Sequence, residues 1–464
     1  MYQFSGKLKT FSLALIIIGV IGTAFSFYSG SQKTIEDAKH VIEASHNVGH
    51  GSSHEETAVH KDVADLENHT AKADTHVAAD AHDTSSDKEH AEHELHVLHQ
   101  LQNRPWSAFY VALFFSLGIT LLVLAFYAIQ RVAQVGWSIL ILRVMEAITA
   151  NLLPTSIIML VVIVASVMHL NHIFPWMAEG TVDPTSDNYD AIIDGKSGWM
   201  NATGFLIRSI AYLLIWNAYR FFIRRSSIKE DTANDGNKTY KKNFTASVVF
   251  LFLFMITESM MSWDWIMSVD PHWFSTLFGW YVFASMIVSG ITTIALMTIY
   301  LKSKGYIKFV NDSHLHDLAK YMFGFSVFWA YLWFSQFMLI WYANIPEEVT
   351  YFVTRIEDYT IPFFTMFALN FIFPFLVLMN SDYKRIPWFI VMAGMIILVG
   401  HYMDVYNMIM PATVGDRWGF GLPEISALAL FSGLFIILVF YSLSKAPLLE
   451  KRNPFIKESE NFHY

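Results

Sequence analysis

The sequence predicts an all-α integral membrane protein with about ten transmembrane helices, and three observations support this prediction. Apolar residues make up 54% of the 464-residue chain, charged residues only 15%, and the mean hydropathy is +0.37. A soluble domain normally carries about 25% charged residues. The apolar residues form separate stretches of the length that a helix needs to cross a bilayer, about 20 residues. Because backbone polar groups in lipid must be satisfied within the segment, we expect helices rather than strands.

Ten stretches meet this criterion. They are Thr10–Tyr28, Trp106–Ile129, Asn151–Leu170, Trp199–Phe222, Phe244–Met261, Trp273–Leu301, Leu318–Trp341, Ile361–Met379, Ile386–Ile409 and Ile425–Leu443. Tryptophans lie near many of their ends, as is typical of residues at a membrane interface. Lys7 and Lys9 precede the first stretch, so a cleaved signal peptide is an alternative for it. Its apolar length favours a retained anchor over residues 1–28.

The distribution of Lys and Arg predicts the orientation. One set of loops and ends is rich in basic residues, among them Lys7, Lys9, Arg131, Arg143, Arg224, Arg225, Lys229, Lys241, Lys242, Lys302, Lys304, Lys384, Arg385, Lys445, Lys451 and Arg452. The short loops of the other set contain only Lys196, Arg355 and Arg417. The positive-inside rule then places both termini in the cytoplasm. An even number of spans requires the same, so we expect a multi-pass protein of a bacterial inner membrane.

The loop after the first span, residues 29–104, differs in composition from the rest of the chain. It is rich in Ala, Asp and Glu and contains His40, His46, His50, His54, His60, His69, His76, His82, His90, His93, His96 and His99. Neutral imidazoles in such a segment can bind Zn²⁺ or Cu²⁺. A solvated periplasmic tether, partly helical or disordered, that cannot bury a core explains the same composition more simply. We therefore predict no metal site there.

Cysteine is absent, which excludes disulfides, iron–sulfur clusters held by this chain and covalently attached haem. A dihaem cytochrome b would need paired histidines on facing helices at two depths. The histidines near the membrane in the core are His169, His172, His272 and His401, and all fall on one predicted side. We therefore expect no cofactor bound by this chain itself, with electrons carried by partner subunits.

Ionisable residues within the spans are the first candidates for function, because they are costly in hydrocarbon unless they face a partner or water. Helix direction places Glu258 and the pair His401 and Asp404 in the outer parts of their spans. His401 and Asp404 are three residues apart and share a helix face. Arg208 lies nearer the middle of the fourth span, where it can balance a buried carboxylate. Imidazole and desolvated carboxyl groups exchange protons near neutral pH, so this set predicts proton handling.

Glu146 is a further candidate for proton handling, on the cytoplasmic side. It lies three residues after Arg143, at the approach to the third span. A simple ion pair between the two at the interface explains this spacing equally well.

A quinol site needs a hydrogen-bond partner for each ring oxygen and a base for the proton, beside an apolar slot for the ring. Asp270, His272 and His401 lie on the predicted outer side, among many aromatic residues, and meet this description. Many transporters carry similar groups, and Asp270 can equally be an ordinary solvated loop charge.

Four segments carry a resemblance to a known family. They are Ser262–Thr276 (SWDWIMSVDPHWFST), Trp329–Glu348 (WAYLWFSQFMLIWYANIPEE), Gly400–Asp404 (GHYMD) and Lys445–Glu450 (KAPLLE). They resemble the large membrane subunits of alternative complex III, in particular the shorter second copy. These subunits are similar to the polysulfide-reductase membrane subunit (NrfD-like) family. The resemblance covers about residues 105–455.

This resemblance implies a core of two four-helix bundles, at residues 105–265 and 266–410, followed by a last helix and a cytoplasmic tail at 411–464. It also implies a subunit of a respiratory quinol:electron-acceptor oxidoreductase that contributes to quinone interaction or proton translocation. The expected partners are a multihaem cytochrome, an iron–sulfur subunit and a paralogous membrane subunit. The His-rich loop departs from the family core.

A secondary transporter without a redox role is the main alternative. Such a protein is expected to show Gly- or Pro-interrupted helices at corresponding positions of two halves. Pro154, Pro362 and Pro374 do not form such pairs. Co-purification with a multihaem cytochrome distinguishes the respiratory subunit from the transporter.

The orientation is testable with reporter fusions. A reporter fused after Lys229 is expected in the cytoplasm and one fused after Asp74 in the periplasm, because the Lys/Arg asymmetry places these two loops on opposite sides. Paired alkaline phosphatase and green fluorescent protein fusions measure this directly. Finding both positions on the same side would contradict the ten-span topology.

Overall fold

Ten long apolar helices form the body of the protein. The structure, a computed structural model, describes residues 2–49, 81–233 and 236–463. The ten helices are α1 (Gly6–Ser31), α2 (His93–Val132), α3 (Trp137–Val167), α4 (Ala202–Glu230), α5 (Lys238–Val269), α6 (Phe278–Ser303), α7 (Asp312–Ala343), α8 (Thr360–Leu378), α9 (Pro387–Val414) and α10 (Leu422–Leu443). The predicted class, an all-α integral membrane protein with about ten spans, is confirmed.

We name the two ends of the bundles from the chain direction. The inner end contains the N-terminal start of α1 and the segment after α10, and the outer end is the opposite one. The loops α3–α4, α5–α6, α7–α8 and α9–α10 therefore meet at the outer end. A further amphipathic helix, Pro346–Glu357, lies in the α7–α8 loop at that end.

The predicted loop at residues 29–104 contains helical segments at both ends. A short helix, Ile35–Gly49, follows α1, and α2 is the continuation of a 52-residue helix that begins at Ala81. Pro105 lies inside this helix, so the predicted start of the span at Trp106 is not a helix boundary. Ala38, Val97 and Leu98 form a small apolar cluster that joins the two helices outside the main core. The central part of the His-rich loop, residues 50–80, lies outside the described residues.

The membrane helices form two rings of four. The first ring is α2–α3–α4–α5 and the second is α6–α7–α8–α9, each closed by contacts between its first and last helices. The rings meet where α2 packs against α6 and α9. Accordingly, in the most apolar 18-residue stretch of each helix, 94% of α2 and 89% of α6 are buried within the protein. The functional candidates on α5, α6 and α9 therefore lie at or beside the junction of the two bundles.

The flanking helices α1 and α10 pack closely on each other through small residues. A Cβ atom on Gly19 would lie 2.5 Å from the backbone nitrogen of Leu430, and one on Gly433 would lie 2.8 Å from the carbonyl oxygen of Ser12. Thr23 also donates a 3.5 Å hydrogen bond to Ser426. Small residues allow membrane helices to approach to this distance, where dispersion and weak polar contacts hold them. This interface makes α1 an integral part of the fold.

The substitution Gly19→Leu is expected to separate α1 from α10, because its side chain would meet the backbone of α10. Since the chain has no cysteine, the separation can be measured with Thr23→Cys and Ser426→Cys introduced together. The parent geometry should allow a disulfide between them, and Gly19→Leu should abolish it. Gly6→Leu is the control, since nothing lies within 4 Å of a Cβ there. Equal cross-linking in all backgrounds would show that this interface tolerates bulk.

Candidate functional site

His401 and Asp404 lie together on the buried face of α9. Both side chains have 0% exposure, and Nδ1 of His401 is 3.6 Å from Oδ2 of Asp404. Their spacing of three residues places them on one face, as the sequence predicts. Asn370 approaches from the middle of α8, where a π-helical turn spans Ala368–Ile372. Gly400 leaves the space for it, because a Cβ there would collide with the Asn370 amide.

Neutral donors surround Asp404. The Tyr281 hydroxyl of α6 donates to Oδ1, and Nε1 of Trp329 on α7 donates to Oδ2 at 2.7 Å. Ser285 lies one turn from Tyr281 and its Oγ is 3.0 Å from Nδ1 of His401. No Lys or Arg among the described residues forms an ion pair with Asp404. The carboxyl group is therefore positioned by three helices without a fixed positive charge that would hold it ionised.

Glu258 is buried on α5 with 4% exposure, and it is the least partnered of the candidates. Its Oε1 makes no hydrogen bond, and the described residues offer it no ion pair. An isolated carboxylate is disfavoured in such surroundings, and a neutral, protonated carboxyl group is tolerated far better. Glu258 therefore has the environment of a group that carries a proton.

Arg208 balances a buried carboxylate, that of Asp264. It forms a two-point ion pair with Asp264, through Nε to Oδ2 at 2.8 Å and Nη2 to Oδ1 at 2.8 Å. Tyr212 and Trp199 donate to the same carboxylate at 2.7 and 2.9 Å. The cause is reach, because the long arginine side chain extends toward the interface, where Asp264 closes the outer end of α5. Asp264 is thus held in place by one arginine, one tyrosine and one tryptophan, and it lies on the last turn of the α-helical part of α5, which ends at Trp265.

Glu146 belongs to a separate ion network at the inner end. Its Oε2 lies 3.1 Å from Nη1 of Arg143 and 2.5 Å from Nη1 of Arg224, and the Tyr127 hydroxyl donates to Oε1 at 2.9 Å. The ion pair with Arg143 that the spacing suggested is therefore present. This position is at the opposite end of the bundles from Asp404.

The inner network continues to the segment after α10. Arg131 pairs with Glu230 at 3.4 Å and with Glu450 at 2.6 Å, and all three side chains are nearly fully buried. Nε of Arg131 donates to the Tyr127 hydroxyl, which connects this group to Glu146. Arg143 adds a 2.8 Å pair with Asp231. The network joins α2, α3, α4 and the chain beyond α10 into one inner-end anchor.

Asp270 and His272 line a polar cleft at the outer end with a volume of about 380 Å³. Nε2 of His272 lies 2.6 Å from Oδ2 of Asp190. Burial alone would raise the pKa of Asp190, but His272 and two backbone amides outweigh it and lower the pKa. His401 does not line this cleft, so the three residues predicted for quinone contact divide between two places.

Asp270 also lines a neighbouring apolar pocket of about 250 Å³. The walls of this pocket are mainly aromatic and consist of Trp199, Trp263, Trp273, Phe274, Met200 and Met267. Lys196 lies at its edge and donates to the carbonyl oxygen of Pro271 at 2.7 Å. Burial lowers the pKa of Lys196. Aromatic walls beside a carboxylate and an amine fit a planar ring with polar substituents.

Several residues of the site were not found from the sequence. Tyr281 and Ser285 give no signal of their own, because Tyr and Ser are common in membrane helices and α6 contains no charged residue near them. Trp329 and Asp264 lie within the segments that carry the family resemblance, so only this resemblance could have indicated them from the sequence. Arg355 was noticed only as a loop charge. It is in fact buried, with 3% exposure, on the helix Pro346–Glu357.

The chain matches no known protein-family model and no curated protein. The resemblance to alternative complex III subunits therefore stays a prediction from the four segments quoted above. In the described part of the chain, no group of three or more His, Asp or Glu side chains is arranged to hold a metal ion.

Replacing Glu146 by Gln is expected to destabilise the inner end, since Arg143 and Arg224 would keep their charges with less compensation. Breaking a buried ion pair by removing one partner costs about 3 to 5 kcal/mol of unfolding free energy. Unfolding in mixed micelles measures this difference. Asp37→Asn is the control, because Asp37 pairs with Lys33 at the surface and the amide keeps its hydrogen-bond acceptor. A loss no larger than in this control would show that the network contributes little.

Proposed function

We propose that this chain is a membrane subunit of a respiratory quinol-oxidising complex and that its outer-end site releases protons. Partner subunits, a multihaem cytochrome and an iron–sulfur protein, carry the electrons. Quinol oxidation yields one quinone, two electrons and two protons, so a subunit without redox centres contributes by receiving protons and passing them on.

The surroundings of Asp404 are the observation that carries this proposal. The carboxyl group lies at membrane depth, is held by Tyr281 and Trp329 and has His401 at 3.6 Å. Asp264 is paired with Arg208, whereas Asp404 forms no ion pair with Lys or Arg in the part of the chain that the structure describes. We therefore assign proton exchange to Asp404 rather than to Asp264. The imidazole beside it is the side chain best suited to exchange protons near neutral pH.

A route to the outer surface supports the same assignment. Tyr281, which contacts Asp404, also lines a small cavity, and Tyr351 and Arg355 line both this cavity and the open polar cleft. Asp270, His272 and Asp190 lie in the cleft and can accept protons before they reach water. The polar groups thus follow one direction, from the buried carboxyl group to the outer end.

The aromatic pocket beside Asp270 is the place that we assign to quinone interaction at this subunit. Its volume of about 250 Å³ suits a single aromatic ring system, and Asp270 and Lys196 supply a base and a donor at its rim. Asp270 lines both this pocket and the polar cleft, so the quinone pocket and the cleft share one carboxyl group.

The substitutions Asp404→Asn and Glu258→Gln, made separately, are expected to lower proton release. Each keeps the shape of the side chain but removes its ability to carry a proton, and a positioned acid or base typically contributes about 10²-fold to a rate. Quinol oxidation and proton release should be measured together, in complexes shown to be assembled.

Asp382→Asn is the control for these variants, because Asp382 is an exposed carboxylate at the inner end. Tyr281→Phe adds a graded test, since it removes only the donor to Asp404. If the Asp404 and Glu258 variants assemble and match the parent in both activities, these residues are structural and the proton-release role is wrong.

A further inference from the structure

A very small cavity lies between Asp404 and the outer cleft, among α6, α7, α8, α9 and the helix Pro346–Glu357. Its volume is about 10 Å³, and its polar lining includes Tyr281, Gln336, Arg355 and Asn407. A space of this size holds about one water molecule. It is too small for any organic ligand.

Three polar atoms of the lining residues have no hydrogen-bond partner among the described residues. They are Oε1 of Gln336, Nη2 of Arg355 and Oδ1 of Asn407. Each of the three side chains is only 3% exposed. A buried polar atom without a partner costs about 1 to 3 kcal/mol, so three around one cavity need a common explanation.

The Arg355 guanidinium is firmly positioned, which excludes a simple rotation as the explanation. Nε donates to the carbonyl oxygen of Asn407 at 3.0 Å and Nη1 to that of Tyr351 at 2.7 Å. The guanidinium also lies over the Tyr351 ring, 3.3 Å from its centroid. Within the described chain no carboxylate forms an ion pair with Arg355. Its remaining nitrogen therefore presents a fixed, charged donor to the cavity.

We propose that one water molecule binds in this cavity and is held by Arg355, Gln336 and Asn407. The pattern of donors and acceptors matches a water molecule. Nη2 of Arg355 donates to the water oxygen, and the two water hydrogens are donated to Oε1 of Gln336 and Oδ1 of Asn407. Three hydrogen bonds are typical of a buried water. The second lone pair of the water stays available to the Tyr281 hydroxyl, which lines the same cavity.

Its position makes this water the connection between Asp404 and the outer cleft, an inference that rests on the proposed function. In the structure the Tyr281 hydroxyl hydrogen is donated to Asp404, and it turns to the water when Asp404 is protonated. The Asp404 carboxyl group then gives its proton to the Tyr281 oxygen while Tyr281 gives its own proton to the bound water. The bound water, which now carries three hydrogens, gives one proton to solvent water in the outer cleft, and no electrons move. Arg355 is a positioning residue in this step, because it fixes the water and its charge disfavours a proton that stays there.

A high-resolution electron cryo-microscopy map of the full chain in lipid nanodiscs tests the binding site. A density peak is expected within hydrogen-bond distance, about 2.7 to 3.2 Å, of Oε1 of Gln336, Nη2 of Arg355 and Oδ1 of Asn407. Asn407→Leu has a similar volume and no acceptor, so it should remove the peak. Gln130→Leu is the matched control, since Gln130 is also buried with an unpartnered Oε1 but lies on α2 away from the cavity. A dry cavity in the parent, or direct pairing among the three side chains, would overturn the proposal.

The relay role has a separate readout. Asn407→Leu is expected to slow proton release by about tenfold or more, whereas Gln130→Leu should leave it at the parent rate. Suppose that the parent map shows the water, Asp404→Asn abolishes proton release and Asn407→Leu leaves it unchanged. This result would overturn the relay but leave the proposed function intact. Unchanged proton release in both Asn407→Leu and Asp404→Asn would overturn the proposed function. The water site would then be supported only by the density peak.

Discussion

A carboxylate buried at membrane depth must be compensated, and the kind of compensation sets what it can do. Four carboxyl groups of this chain are compensated in three ways. Asp264 and Glu146 are paired with arginines, Asp404 is held by neutral donors, and Glu258 has no close partner. Asp264 and Glu146 are therefore held in place by ion pairs. Asp404 and Glu258 form no ion pair with Lys or Arg among the described residues.

Three of these four carboxyl groups lie in the first bundle. Asp264 and Glu146, one at each end, clamp α4 to α5 and to α3 through their arginine partners, and Glu258 lies on α5 without such a partner. The second bundle leaves Asp404 among Tyr281, Trp329 and His401, where three helices converge without a cation. Arg355 is the nearby exception, and it contributes its charge to the outer cavity rather than to a carboxylate.

The sequence was sufficient for the features that depend on hydropathy and helix direction. It predicted the ten helices and the outer location of Glu258, His401 and Asp404, because depth follows from position along a span. Partners on one helix also follow from spacing, as Arg143 and Glu146 show. Partners on different helices do not, since these depend on helix rotation and side-chain reach. Arg208 was expected to balance a buried carboxylate, but only the structure identifies that carboxylate as Asp264. The unpartnered polar atoms of Gln336, Arg355 and Asn407 could be recognised only from the structure, because the three residues lie on different helices.

The partners in the inner-end network are synthesised at different times. Arg131 enters the membrane early, with α2, whereas its partner Glu450 follows 319 residues later. At a translation rate of about 5 to 20 residues per second, Glu450 is synthesised roughly 15 to 60 s after Arg131. Its other partner, Glu230, follows only 99 residues after Arg131 and can compensate the charge in part before then. The segment after α10 therefore completes a charge balance that the earlier helices leave partial.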